Sequence, residues 1–244
     1  MRKNQRYKTI GSTSDRMMVL IYLITFAYKL FGNRIYALKG LFEVMEYRYW
    51  LKTTFSTQRI LPHRKKMLHF LIAELDSNPS RKRIIEFGVA FGETTNFFID
   101  NLQCKFEYHG FDSFEGLPKN WRGMPKGAID AGGVTPDIQK SGIFFYPGLI
   151  ESTLTDSLLE DIFAQSCTQT LIFFDFDLYH PTLFALQRIQ PFLKGGDIIY
   201  FDEAFDCDER MVIENYVMDV LDVKPLQASI FGLAFKFIEN KVHV

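Results

Sequence analysis

The stretch Ile84–Thr95, Ile-Ile-Glu-Phe-Gly-Val-Ala-Phe-Gly-Glu-Thr-Thr, constrains this chain more than any other. A short apolar run reaches an acid, Glu86. Two glycines follow, Gly88 and Gly92, and then a polar helix start at Glu93, Thr94 and Thr95. That order reads as strand, tight turn, helix N-terminus. Glycine at such a turn lets the backbone come close to a ligand, and the helix start offers unpaired N–H groups to an anion.

From Arg81 onward the chain alternates short apolar runs with helical stretches. The runs Ile84–Phe87, Phe106–Phe111, Ile143–Tyr146, Thr170–Phe174 and Asp197–Phe201 predict strands. Helices are expected over Glu93–Leu102, Ser152–Ala164, Pro181–Phe192 and Glu209–Leu221. Two last strands, Pro225–Ile230 and Leu233–Glu239, join at Phe231-Gly232 as a hairpin. This α/β order implies a mostly parallel seven-stranded sheet with helices on both faces and one antiparallel strand. Residues 115–141, rich in Gly, Pro and Lys, read as a long irregular excursion, of the kind that is functional or mobile. At 244 residues with 25 phenylalanines, the chain can bury a large core.

Charge divides the molecule. Residues 1–70 carry 14 Lys/Arg against 3 Asp/Glu, and the remainder carries 14 against 26, within a net charge of −1. We expect a basic, helical N-terminal extension over residues 1–80 and the α/β domain over 81–244. The asymmetry points to a local anionic partner and not to nucleic acid. Met17–Tyr28 is apolar but too short to span a bilayer. It reads as a helix that docks on the domain or a second subunit, or that lies peripherally on an anionic membrane. Ile35–Trp50 and Pro62–Leu75 predict two further helices, the latter with Arg64, Lys65 and Lys66 in its first turns. Cys104, Cys167 and Cys207 are widely spaced and odd in number, which favours a reducing, cytoplasmic setting.

Ligands of such sheets sit beyond the carboxyl ends of the strands. Acids fall at that edge at Glu86, Asp112, Asp175 and Asp202, with Glu203 directly following. Asp112 stands where a carboxylate accepts both hydroxyls of a nucleotide ribose. The first turn lacks the third glycine of a dinucleotide fingerprint, which favours S-adenosylmethionine over NAD. Asp175 with Asp202 and Glu203 offers three carboxylates to a hard ion, Mg²⁺ or Mn²⁺. Asp177 and His180 follow as base, supporting or capping groups.

Glu86–Gly92 resembles the first motif of class I S-adenosylmethionine-dependent methyltransferases, a Rossmann-like fold. Phe111–Pro118 (Phe-Asp-Ser-Phe-Glu-Gly-Leu-Pro), Asp175–Tyr179 and Gly195–Asp202 are similar to the macrocin O-methyltransferase family, which methylates sugar hydroxyls with a divalent metal. The resemblance implies that Glu86, Gly88, Gly92, Asp112 and Ser113 face the cofactor, joined by Thr94 at the helix start. It also implies that Asp175, Asp202 and Glu203 hold the metal. Two departures are visible. The family has two aspartates where this chain has Asp202-Glu203, and residues 119–141 lack the family's loop histidine. Asp177, His180, Asp130 and Asp137 remain as candidate bases, Asp175 being shared between metal and catalysis. The implied activity is metal-assisted O-methylation of a saccharide or glycosylated small molecule. The rival readings are a catechol-like hydroxyl acceptor, a nicotinamide-linked oxidoreductase and a non-catalytic S-adenosylmethionine-binding module, and a homo-oligomer is compatible with each.

Overall fold

A computed structural model describes residues 39–55 and 59–241. The expected Met17–Tyr28 helix lies outside the described residues. Packing groups Phe42–Val244 into one compact unit. Helix α1 (residues 39–55) leads to α2 (Arg64–Asp76), β1 (Lys82–Phe87), α3 (Glu93–Asn101), β2 (Phe106–Asp112) and β3 (Ile143–Pro147). Then come α4 (Ile150–Thr153), α5 (Asp156–Ala164), β4 (Gln169–Phe174), α6 (Tyr179–Ile189) and β5 (Ile198–Phe201). The chain ends with α7 (Cys207–Val212), a π-helical turn (Ile213–Val217), α8 (Met218–Val220), β6 (Leu221–Ala228) and β7 (Leu233–Asn240).

The seven strands lie in the order β3-β2-β1-β4-β5-β7-β6. The pairs from β3 to β5 are parallel, whereas β7 runs antiparallel to both β5 and β6. This is the expected sheet. Alternation along each strand sends side chains to opposite faces. Ile85, Phe87, Ile172, Phe174 and Phe201 pack under α1 and α4–α7, while Ile84, Tyr108, Leu171, Phe173 and Tyr200 pack under α2 and α3. Helix α2 turns Met67, Leu68, Leu71 and Leu75 inward at helical spacing. Tyr47 of α1 is fully buried, its hydroxyl donating to the Gly232 carbonyl at 2.9 Å.

Two expected helices are interrupted. The stretch predicted as one helix over Ser152–Ala164 breaks at Leu154 and Thr155, where the Thr155 hydroxyl caps α5 by accepting from Leu158 N–H. A threonine cap competes well with helix continuation. The last helix begins at Asp206, whose side chain accepts from Asp208 N–H at 2.9 Å, and widens into the π-turn after Val212.

One rung of the sheet positions the site. Tyr146, Phe111, Phe87, Phe174 and Phe201 are register partners across five neighbouring parallel strands. Their rings follow one another at centroid distances of 4.5, 5.3, 5.2 and 5.0 Å. Each such aromatic pair adds about 0.5–1.5 kcal/mol beyond the area it buries. The rung forms a shelf under the strand ends.

Candidate active site

The backbone ladder runs one step past that shelf. Gly88 N–H donates to Phe111 O at 2.9 Å, Asp175 N–H to Phe87 O at 2.8 Å and Asp202 N–H to Phe174 O at 2.9 Å. The residues just beyond the phenylalanines are thereby held in line. Chain winding reverses between β1 and β4, the point where open α/β sheets bind ligands. A cleft of about 780 Å³ lies there, within the size range of small-molecule sites. Gly88, Thr94, Asp112 and Ser113 line one side. Asp175, Asp177, His180, Asp202 and Glu203 line the other, with Leu117 and Ile129 of the long excursion at its mouth.

On the first side, Asp112 is a bracket. Its Oδ2 accepts from Val89 N–H and Ala90 N–H, both at 2.8 Å, and its Oδ1 from Phe114 N–H at 2.8 Å. A carboxylate has about four acceptor positions, so ribose hydroxyls can share those oxygens. Ser113 lines the cleft and accepts from Glu115 N–H at 3.2 Å. Glu86 is buried and does not line the cleft. Its Oε2 meets the Thr95 hydroxyl at 3.4 Å, while its Oε1 has no hydrogen-bond partner among the described residues. Burial pushes the Glu86 carboxyl up to about 8, against the pull of Arg64.

The two glycines make room for the chain itself. A Cβ on Gly88 would sit 2.0 Å from the Asp175 carbonyl oxygen, and one on Gly92 would sit 2.9 Å from the Pro136 side chain. Both have positive φ, +93° and +76°, which favours glycine independently. Gly92 caps α3 without a side-chain acceptor, leaving the helix start beside Thr94 open to an anion.

The second side is crowded with carboxyl groups. Arg64, the first residue of α2, reaches into it. Its Nε donates to Asp202 Oδ2 at 2.5 Å, and its Nη2 to Asp175 Oδ2 at 2.8 Å and Thr94 Oγ1 at 3.0 Å. The Tyr200 hydroxyl donates to the other Asp202 oxygen at 2.6 Å. Burial and the charge of Asp202 raise the Asp175 carboxyl despite Arg64. Asp177, held at φ +61°, is pushed up to about 7 by burial, then by Asp202 and Asp206. Glu203 rises to about 9 through burial and Asp177. Fully buried Glu209 is raised as well; its Oε2 accepts from Glu203 N–H and its Oε1 has no partner among the described residues.

A divalent ion needs several oxygens converging on one point. Two of the three carboxylates expected to hold it, Asp175 and Asp202, converge on Arg64 instead. Asp175, Asp202 and Glu203 do not form, among the described residues, a set whose ligand atoms all lie within 4.8 Å of one another. Among the described residues, Asp206, Cys207 and Asp208 form the set of three ligating side chains within 4.8 Å of one another. Asp206 there is already engaged by Arg122 at 2.6 Å. As placed, the expected triad does not fit an Mg²⁺ or Mn²⁺ ion.

The other candidate bases separate. His180 is exposed and pairs with Glu151 at 3.2 Å, on the rim of the cleft. Asp130 and Asp137 do not line the cleft; they accept from Gly132 N–H and the Gln139 amide. Arg122 ties the long excursion down through Glu43 at 2.8 Å and Asp206, with Phe205 under its guanidinium. Sequence reasoning missed Arg64 and Arg122. For Arg64 a signal existed: it lies three and four residues before Met67 and Leu68, on the buried stripe of α2.

No family model matches the chain, and no curated protein matches it. Solved structures do. The O-methyltransferase NovP aligns with TM-score 0.52 and 15% identity over 72% of this chain and 80% of its own. The calicheamicin methyltransferase CalS11 aligns with TM-score 0.50 and 17% identity over 97% of this chain and 98% of its own. The chain has the Rossmann-like fold of class I methyltransferases.

Proposed function

We propose that this chain is an S-adenosylmethionine-dependent O-methyltransferase whose acceptor is a hydroxyl of a saccharide or glycosylated small molecule. The observation that carries the reading is the cleft at the β1/β4 reversal, with a bracketed carboxylate on one wall and a near-neutral one, Asp177, on the other. The neighbouring O-methyltransferases share its fold, and the Phe111–Pro118 string resembles sugar methyltransferases. The cleft fits the cofactor by charge. Its acids suit a sulfonium and an ammonium, and the open start of α3 suits a carboxylate.

The cofactor, when bound, supplies a methyl group on a positively charged sulfur. Asp112 and Ser113 would hold its nucleoside end, and Thr94 with the α3 N-terminus would hold its amino-acid end. Asp177 accepts the proton of the acceptor hydroxyl as the oxygen bonds to the methyl carbon and the sulfur–methyl bond breaks, its electron pair staying on sulfur in the departing S-adenosylhomocysteine. A base near neutral pKa suits that transfer. Arg64 already lies between Asp175 and Asp202 and engages one oxygen of each. Exposed Phe91, Ile129 and Leu149 at the mouth offer an apolar face to the acceptor. That face also suits a catechol-like ring, so the acceptor panel must include both classes.

The basic residues before position 70 extend the proposal to an anionic surface that concentrates the enzyme. No described helix is long and apolar enough to cross a membrane. Calorimetry tests the core of the reading: S-adenosylmethionine should bind and NAD should not. Tight NAD binding with no response to S-adenosylmethionine would replace it with the oxidoreductase reading.

A further inference from the structure

Arg64 is placed against the local interest of its own helix. Helix α2 opens with three consecutive cations, no acid in the first turn and no side-chain cap. A helix N-terminus is the end that disfavours positive charge. Lys65 and Lys66 relieve this by pointing to solvent. Arg64 turns inward on the buried stripe, its guanidinium 5.8 Å from the Phe173 ring centre. Local rules broken in this way mark functional positions.

Its hydrogen bonds show what it gains. Nε and Nη2 satisfy one oxygen each of Asp175 and Asp202 and also reach Thr94. These three groups come from β4, β5 and α3, so one planar fork ties together both walls of the cleft. Burial alone would lower the arginine's pKa, and Asp202 and Asp175 more than reverse that. The charge is therefore permanent. Among the described residues these contacts use Nε and Nη2, while the side chain remains about a third exposed to the cleft, at 35%. The Nη1 end is left to donate to a ligand oxygen.

We propose that the Arg64 guanidinium is the resident cation of this rim, compensating Asp175 and Asp202 where a divalent ion would otherwise sit, and that methyl transfer by this chain proceeds without a metal. The inference rests on the methyltransferase reading for its second half only. Arg64 is then a positioning residue: it fixes the two carboxylates and Thr94 while Asp177 takes the proton. Lysine cannot replace it, since an ammonium lacks the planar fork that spans two carboxylates.

Mn²⁺ titration followed by electron paramagnetic resonance tests the cation directly, on the full chain with and without S-adenosylhomocysteine. The wild type should leave the signal of free Mn²⁺ undiminished in both conditions. Binding of one equivalent, lost in Asp175→Asn, would overturn the proposal. Turnover should be unchanged by EDTA and fall about 10²-fold or more in Arg64→Ala, with Arg64→Lys recovering little of it. Turnover that EDTA abolishes and Mg²⁺ restores would also overturn it. If Arg64→Ala does not fold, the wild-type titration and Arg64→Lys carry the test. A chain that binds no S-adenosylhomocysteine and transfers no methyl group sinks the methyltransferase reading, while the Mn²⁺ titration still decides the cation.

Discussion

The two walls of the cleft are built on opposite electrostatic plans. On the β1–β2 side, Asp112 accepts three backbone N–H bonds at 2.8 Å. On the β4–β5 side, Asp175, Asp177, Glu203 and Glu209 are all raised, chiefly by burial and then by neighbouring acids such as Asp202 and Asp177, with Arg64 and Arg122 as the cations among them. Three N–H donors fix the Asp112 carboxylate in place; crowded buried carboxyls are poised to take up protons. The first wall is suited to holding a ligand still and the second to moving a proton. The aromatic rung runs beneath both.

The largest effect should come from the proton-handling wall. Asp177→Asn should lower turnover by about 10²–10⁴-fold, the usual worth of a general base, while S-adenosylhomocysteine affinity holds. The wild-type rate should rise with pH through about 7, where Asp177 loses its proton, and the variant should lose that limb. A variant with an unchanged profile would move the base elsewhere, His180 first.

The holding wall should respond in binding and stability instead. Gly88→Ala puts a methyl group 2.0 Å from the Asp175 carbonyl at a φ of +93°. It should destabilise the fold by about 1–3 kcal/mol, the range for forced overpacking, as read by urea denaturation. Asp112→Ala should weaken S-adenosylmethionine binding by about 1.5–3 kcal/mol, the worth of hydrogen bonds to a charged group. Unchanged affinity by calorimetry would remove Asp112 from the cofactor site and erase the contrast between the walls.

Away from the cleft, acid should find a different weak point. Burial, partly offset by Glu107, lowers His109 from its ordinary 6.5 to about 4. A group whose folded pKa is depressed contributes stability that is full above its unfolded value and lost as pH falls towards the folded one. The window is therefore pH 6.5 down to about 4. The cleft carboxyls work the other way, because the fold prefers them protonated. Comparing wild type with His109→Phe isolates the histidine: the variant's relative stability should rise by roughly 2–3 kcal/mol across that window. A difference that stays flat with pH would mean His109 is not buried neutral.

Much of this was legible in the chain, for local reasons. Apolar runs ending in acids mark the strands and place Asp112, Asp175 and Asp202 on one edge, because strand, turn and helix start follow one another in sequence. The role of Gly88 was not legible in the same way. A positive φ is foreseeable from glycine at a turn, but the contact that fills its missing Cβ comes from Asp175 on another strand. Arg64 is the extreme case, bonding to groups 111 and 138 residues away. Three consecutive basic residues look alike in sequence, and only the inward stripe of α2 distinguishes the first. The metal expectation rested on counting carboxylates, and counting does not show which cation they meet.

On the proposed reading, the two walls together transfer a methyl group to a hydroxyl. Labelled methyl transfer from S-adenosylmethionine to a panel of saccharides and catechols, run with wild type and Asp177→Asn, tests it most directly. The wild type should yield a labelled saccharide ether and the variant almost none. S-adenosylmethionine binding with no labelled product from any hydroxyl acceptor, or equal product from both proteins, would contradict it.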